Sequence, residues 1–142
     1  MKFLRWLARN QEESDESQLD LFGGSQGLTK RERVDGAIVN KDLNRTIKQK
    51  GGSGGVYRRS TEAMTNELFD VGTDELYEAT GGTKNQRGTL PKAAQKAFIV
   101  GESVADFDLK ETDVQGNSRQ KNEQIVDSVK KSGKKVRKWL PW

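Results

Sequence analysis

PKAAQKAFIVGESVADFDL, residues 91–109, is the segment that decides the fold. Pro91 suits the first position of a helix, because its fixed φ is helical and its missing N–H is not needed there. Apolar and small residues then recur at spacings of three and four, the period of one helix face. The pattern predicts the most buried helix of the chain, ending near Leu109, with small residues that let a neighbouring helix approach closely: Ala94, Ala97, Phe98, Gly101, Val104 and Ala105.

Helical signals also precede this segment. Thr29 and Glu32 have the spacing of a capping box, which predicts a helix start. Asn40 or Asp42 would cap a second short helix. Both predicted helices lie before a glycine-rich loop at residues 51–55. That loop lacks the Gly-Lys-Ser/Thr ending of a P-loop, so a connector is favoured over a nucleotide site.

Two further helices are predicted between this loop and Pro91. The second has Thr73 as its N-cap and ends at Gly81 and Gly82. The first carries a stripe at spacings of four, three and four: Tyr57, Thr61, Met64 and Leu68.

A last helix is predicted from Ser118, its expected cap. Gly133 costs about 1 kcal/mol relative to Ala inside a helix, so a bend or close packing is expected there. The helix carries the stripe Ile125, Val129, Gly133, Val136 and Leu140. Together these patterns predict a mainly α fold: a small helical domain of about four to six helices over residues 28–142, after a flexible tail over residues 1–27.

The predicted tail has two parts. Residues 3–9 form an amphipathic start with Phe3, Leu4 and Leu7 on one side. So short a helix is marginal alone in water, so docking on the body or fraying is favoured over membrane-surface binding. Residues 11–17 are acidic and Ser-rich with nothing to bury, which predicts a disordered linker.

Composition excludes several kinds of function. The chain has 142 residues, no Cys and no His, so disulfides, His-based acid–base catalysis and the usual zinc sites are excluded. Hydrophobic and charged residues each make up 32% of the sequence, which indicates a small core. No run approaches the length of a membrane span and no signal peptide is recognisable. A cytoplasmic location is therefore expected.

The predicted tail contains a five-residue apolar and polar motif, Gln18-Leu19-Asp20-Leu21-Phe22. All five residues match the motif by which bacterial replication and repair proteins bind the sliding clamp, and the segment resembles it. The resemblance implies that Leu21 and Phe22 fill an apolar pocket, that Leu19 supports them and that Gln18 hydrogen-bonds at the rim. The alternative is a short edge strand, or a segment that covers the protein's own core.

Positive charge concentrates at the end of the chain. Residues 128–142 hold six bases and no acid, although the formal net charge of the whole chain is only +4. Basic side chains beside indoles predict a nucleic-acid surface, with phosphate contacts and base stacking. A solvated basic face at a helix C-terminus is the alternative. The candidate residues are Lys130, Lys131, Lys134, Lys135, Arg137, Lys138 and Trp139, with Trp142 close by.

Three segments give a second resemblance. Residues 117–120 (NSRQ) with 133–137 (GKKVR), and the earlier residues 50–57 (KGGSGGVY), resemble the C-terminal region of the DNA-damage-inducible protein D family over roughly residues 40–138. The resemblance implies a DNA-damage response, including modulation of RecA-type recombinase filaments, and no enzymatic reaction or cofactor.

The sequence thus predicts a non-enzymatic replication and repair accessory protein. It would bind the bacterial sliding clamp through residues 18–22, contact DNA or a DNA-bound protein through its basic body, and associate with the nucleoid. The first alternative is a regulator of RecA filaments that acts through the body alone. The last is a Mg²⁺-dependent nucleic-acid enzyme that uses the six acids of residues 61–82: Glu62, Glu67, Asp70, Asp74, Glu75 and Glu78.

Overall fold

The computed structural model describes residues 1–14 and 30–142. Within these ranges the chain forms six α-helices, one short 3₁₀ helix at Arg87–Thr89 and no strand. The prediction of a mainly α fold is therefore confirmed. None of these helices is long and apolar enough to cross a membrane. The α-helices are α1 (Lys2–Ser14), α2 (Lys30–Gln49), α3 (Val56–Phe69), α4 (Thr73–Thr80), α5 (Lys92–Lys110) and α6 (Ser118–Arg137).

Helix α5 is the centre of a bundle. It packs against α2, α3 and α6, and α3 packs in turn against α6, while the short α4 packs on α3. Five of the six residues of the predicted stripe of α5 are buried and Val104 is half-buried. Ala94 and Ala105 are fully enclosed. The prediction that α5 is the most buried helix is confirmed, because it contributes more buried residues than any other described helix.

Helices α2 and α5 run parallel. The amide of Asn40 donates to the carboxylate of Glu102 at 2.9 Å about midway along the pair. Near the end of the pair, the ammonium of Lys50 donates to the backbone carbonyl of Lys110 at 3.2 Å. The chain therefore runs in the same direction in the two helices, although α3 and α4 lie between them in the sequence.

Helices α3 and α6 form a second parallel pair. The guanidinium of Arg59 lies 2.7 Å from the carboxylate of Glu123 at the start of the pair. At its end, the Arg137 guanidinium lies 2.9 Å from the carboxylate of Asp70. The pairing sets the direction of α6 and places its C-terminal turns beside the end of α3.

Glycine permits the close approach of α3 and α6. A Cβ added to Gly133 would lie 2.8 Å from the Cβ of Glu67 and 3.3 Å from the Sδ of Met64. Close packing was one of the two outcomes predicted for Gly133, and it is confirmed. Gly101 plays the same part between α5 and α3, since its added Cβ would lie 2.7 Å from the Met64 Sδ.

We expect Gly133→Ala to destabilise the protein, against the usual rule for helix interiors. Ala gains about 1 kcal/mol over Gly in a helix, but overpacking a close contact costs about 1–3 kcal/mol. The Glu67 Cβ cannot move away without its helix, so the net loss should be about 1 kcal/mol in urea unfolding. Gly88→Ala is the control, because nothing lies near an added Cβ there. A stabilised Gly133→Ala would contradict the proposed contact.

Two helix starts differ from the predictions. The predicted break at Asn40 or Asp42 is wrong, because Lys30–Gln49 is one continuous helix. Asn40 keeps helical geometry because its side chain bonds to Glu102 on α5 instead of capping. The prediction of Ser118 as the α6 cap is wrong by one residue: Asn117 accepts from the backbone N–H of Gln120, whose side chain accepts from that of Asn117 in return.

The predicted cap of α4 is also wrong. Gly72 holds the N-cap position without a side-chain hydrogen bond. The Thr73 hydroxyl donates instead to the hydroxyl of Thr65 at 3.2 Å. A carboxylate from α3 supplies the missing acceptor, because Glu62 Oε1 accepts from the backbone N–H of Thr73 at 3.1 Å. The predicted stop at Gly81 is confirmed, with φ of +75°.

Helix α1 docks on the body. Phe3 is fully buried and meets the rings of Phe69 and Trp142 at centroid distances of 5.0 and 4.6 Å. Trp6 lies 5.1 Å from Trp142 and covers the same cluster. Docking, one of the two predicted outcomes for residues 3–9, is confirmed, and the helix continues beyond residue 9 to Ser14.

Candidate nucleic-acid interface

The last turns of α6 present five exposed lysines: Lys130, Lys131, Lys134, Lys135 and Lys138. They point outward because the opposite side of the helix is anchored in the core by Ile125, Val129 and Val136, all fully buried. Because the buried residues occupy one face of the helix, the positions between them face solvent. The clustering of these lysines, predicted from the sequence, thus becomes a single basic face in the fold.

Two of the five lysines are neutralised by neighbouring acids. The Lys131 ammonium lies 3.1 Å from the carboxylate of Asp127, one turn earlier. The Lys135 ammonium lies 2.6 Å from that of Asp108 on α5. Both pairs reduce the net positive charge of the basic face, and the pair of Lys135 with Asp108 also joins α6 to α5.

The other three lysines form a row that we call the lysine ridge: Lys130, Lys134 and Lys138. They follow each other at intervals of four residues, so the ridge extends about 12 Å along the helix. None of them pairs with an acid among the residues that the structure describes. The ridge therefore offers a row of unneutralised positive charge to an anion outside the chain.

Arg137 is the basic residue whose charge serves the fold. Its side chain is only 18% exposed and pairs with Asp70. Its guanidinium also donates to the backbone carbonyls of Glu67 and Leu68 at 3.4 and 3.3 Å, at the end of α3. These hydrogen bonds supply donors to carbonyls of the last turn of α3, which lack helical partners. We therefore leave Arg137 out of the interface proposed below.

The two C-terminal tryptophans differ in their surroundings. Trp139 is 65% exposed. Trp142 instead lies against Phe69, with centroids 5.7 Å apart and planes 14° from parallel, and its indole N–H donates to the carbonyl of Leu68 at 2.8 Å. Of the two indoles predicted beside the bases, Trp139 is exposed and Trp142 is partly buried.

A cleft of about 520 Å³ separates the lysine ridge from the end of α3. Bases and acids both line it, so its electrostatic character is mixed. The lining residues are Lys2, Glu67, Asp70, Lys134, Arg137, Lys138 and Trp142. Two of the ridge lysines, Lys134 and Lys138, contribute to its positive charge.

A buried polar cluster between α2, α5 and the 3₁₀ turn was not predicted. Glu102 is 3% exposed and receives two hydrogen bonds from Arg87, at 2.5 and 2.9 Å, besides the one from Asn40. The guanidinium also lies 4.5 Å from the Phe98 ring centroid. One feature of the sequence could have indicated this cluster. Glu102 follows Phe98 by one helical turn, so it lies at the edge of the apolar stripe of α5.

Two pKa values are shifted in and beside this cluster. Burial lowers the pKa of Arg87, but the hydrogen bonds and charge of Glu102 outweigh it, so the pKa is raised above its ordinary value. Burial raises the pKa of the Tyr77 phenol, and the nearby charge of Arg87 offsets part of that rise. Both groups therefore keep their usual protonation at neutral pH, which suits a structural cluster.

Three of the six acids of residues 61–82 take part in polar contacts within the fold. Glu62 caps α4, Asp70 pairs with Arg137, and Asp74 lies 3.4 Å from the ammonium of Lys84. Across the described parts of the chain, no group of three or more acids gathers as metal ligands would. The structure does not bring these carboxylates together in one site.

The clamp-like motif Gln18–Phe22 lies outside the described residues, so its predicted contacts stay predictions. The resemblance to the DNA-damage-inducible protein D family likewise stays a prediction. Comparison of the chain with known protein families, curated proteins and solved structures finds no match, and its function must be argued from its own residues.

Proposed function

We propose that this chain is a non-enzymatic accessory protein of DNA replication and repair that binds nucleic acid through the lysine ridge. The observation that supports the proposal most is the row formed by Lys130, Lys134 and Lys138, which are exposed and have no acidic partner among the described residues. Trp139 follows at the end of the row with its ring exposed. A row of cations beside an exposed aromatic is the arrangement that binds a phosphate backbone and stacks on bases.

The proposed clamp motif explains how so small a basic surface would suffice. Three lysines give weak binding, because each contributes mainly through release of a counterion. A peptide that holds the protein on a clamp encircling DNA would raise the local concentration of nucleic acid around the ridge. The two weak contacts would then act together, in the cytoplasm and at the nucleoid.

Reversal of the ridge charges should abolish nucleic-acid binding. We expect the variant Lys130→Glu/Lys134→Glu/Lys138→Glu to lose measurable affinity for a fluorescent oligonucleotide in an anisotropy titration at low salt. In the wild type, each lysine that meets a phosphate adds about 0.7–0.9 to the slope of log affinity against log salt. Three such contacts give a slope of about −2 to −3.

A matched variant distinguishes the ridge from general basicity. Arg31→Glu/Lys41→Glu/Lys48→Glu makes the same change in net charge at exposed positions of α2. It should keep most of the wild-type affinity and the same salt slope. Equal loss of binding in the two triple variants, or full binding by the ridge variant, would contradict the proposed interface.

The clamp contact has its own test. Intact chain titrated against purified bacterial sliding clamp should bind saturably, and Leu21→Ala/Phe22→Ala should abolish the binding. Each apolar side chain buried in a pocket gives roughly 1.5–3 kcal/mol, so losing both removes most of a weak interaction. Binding should change little with salt, unlike binding to nucleic acid.

Leu28→Ala is the control for this titration, since it removes an apolar side chain just outside the motif. It should bind the clamp as the wild type does. Absence of binding by the wild type would refute the clamp proposal. The helical body would then act without a tether, in the damage-response role that the family resemblance implies.

A further inference from the structure

The exposed Trp139 narrows the kind of nucleic acid that the ridge can bind. Its backbone N–H donates to the carbonyl of Val136 at 2.9 Å, so the turn that ends α6 fixes its position directly after Lys138. Within the described residues, its ring takes part in no aromatic contact, unlike those of Trp6 and Trp142. A large ring left 65% exposed at a fixed place has a face available for stacking.

Stacking on this ring requires a base whose face is accessible. In a duplex each base face is covered by the neighbouring pair, and a protein meets only base edges and phosphates. In a single strand the faces are free, and stacking on aromatic side chains tolerates any sequence because every base has a π-face. Trp139 therefore adds affinity only for unpaired nucleotides.

The dimensions of the ridge agree with a single strand. Its three lysines occupy about 12 Å in one row, and the row ends on its N-terminal side near Asp127 on the same outward face. Across the cleft lie Glu67 and Asp70, of which Asp70 is paired with Arg137. The ridge is a single row of cations, so it matches the phosphates of one strand.

We propose that the lysine ridge and Trp139 form a binding site for single-stranded nucleic acid, with phosphates on Lys130, Lys134 and Lys138 and one unpaired base stacked on the indole. This inference rests on the proposed function, which requires only that the ridge binds nucleic acid. It names the single strand as the ligand. DNA and RNA share the chemistry that this site would recognise.

The test compares three ligands of one sequence: single-stranded DNA, single-stranded RNA, and a DNA duplex closed by hairpins so that no end is free for stacking. The full chain is titrated with each at the same low salt, and anisotropy gives the affinity. We expect the wild type to bind the single strands about tenfold more tightly than the duplex, from one stacked base. A difference between the DNA and RNA arms would identify the natural strand.

Trp139→Ala should lower the single-strand affinity about tenfold and leave the duplex affinity unchanged, while Trp139→Phe should retain most of the binding. Phe107→Ala is the control, because Phe107 is an equally exposed ring, 68% accessible, on α5. It should change neither affinity. Binding of a single strand should also quench tryptophan fluorescence in the wild type and much less in Trp139→Phe.

The outcomes separate this inference from the proposed function. Unchanged single-strand affinity in Trp139→Ala, or an equal loss on strand and duplex, would overturn the single-strand site while the ridge could still bind nucleic acid. Full binding by the ridge triple variant would overturn the proposed function itself. Circular dichroism of each variant establishes that its helices are intact.

Discussion

Replacing Arg87 by Met should lower the free energy of unfolding by about 3–5 kcal/mol. Glu102 is almost fully buried and its two carboxylate oxygens accept both hydrogen bonds from the guanidinium. Removing the guanidinium leaves Asn40 as its hydrogen-bond donor. A carboxylate buried with so little compensation is strongly unfavourable. Met keeps the packing against Phe98, so the loss measures the charge and not the volume.

Urea unfolding followed by circular dichroism measures this loss, and two variants test its cause. Lys84→Met breaks the exposed pair with Asp74 in the same connection and should cost less than about 1 kcal/mol. Arg87→Met/Glu102→Met removes both charges and should recover most of the stability. A double variant no more stable than Arg87→Met would show that Glu102 is not the source of the penalty.

Trp142→Ala should lower the free energy of unfolding by about 3 kcal/mol. The indole packs on Phe3 and Phe69 and donates to the carbonyl of Leu68. Its loss opens a cavity under α1 and leaves that carbonyl with one hydrogen-bond donor fewer. We expect α1 to undock, because Phe3 and Trp6 both use the Trp142 ring.

Trp139→Ala is the matched control, since it removes the same side chain from an exposed position three residues away. It should change the free energy of unfolding by no more than about 0.5 kcal/mol. Amide hydrogen exchange of residues 2–10 should accelerate in Trp142→Ala alone. Equal destabilisation by the two substitutions would contradict the assignment of Trp142 to the core.

Much of the helical framework could be predicted from the sequence. The stripes of α5 and α6 have uninterrupted spacings of three and four, and burial follows them closely. Helix α2 was harder to predict, since its first half is polar and contains Gly36. It lacks a continuous apolar stripe in its first half, and its contacts with α5 hold it in the fold. The contact of Asn40 with Glu102 turns an expected cap into a bond between helices.

The contacts that define the site depend on partners distant in sequence. Nothing near Trp139 or Trp142 distinguishes an exposed indole from a docked one; the difference arises from Phe69 and the end of α3, about seventy residues earlier. The same holds for Arg137. Nothing near it in the sequence distinguishes it from the neighbouring lysines, because its partners lie at the end of α3. The basic face itself was predictable, because it required only the helical period and the clustering of charge.

The two parallel helix pairs have a consequence for the folding of the chain. Hydrogen bonds between α2 and α5 and between α3 and α6 join residues 60 to 70 positions apart. A helical hairpin closes its contacts locally, whereas here α2 and α3 lack their main partners until both later helices are present. The bundle should therefore fold more slowly than hairpin-built bundles of its size. During synthesis, its first half should wait unpacked until α5 and α6 have left the ribosome.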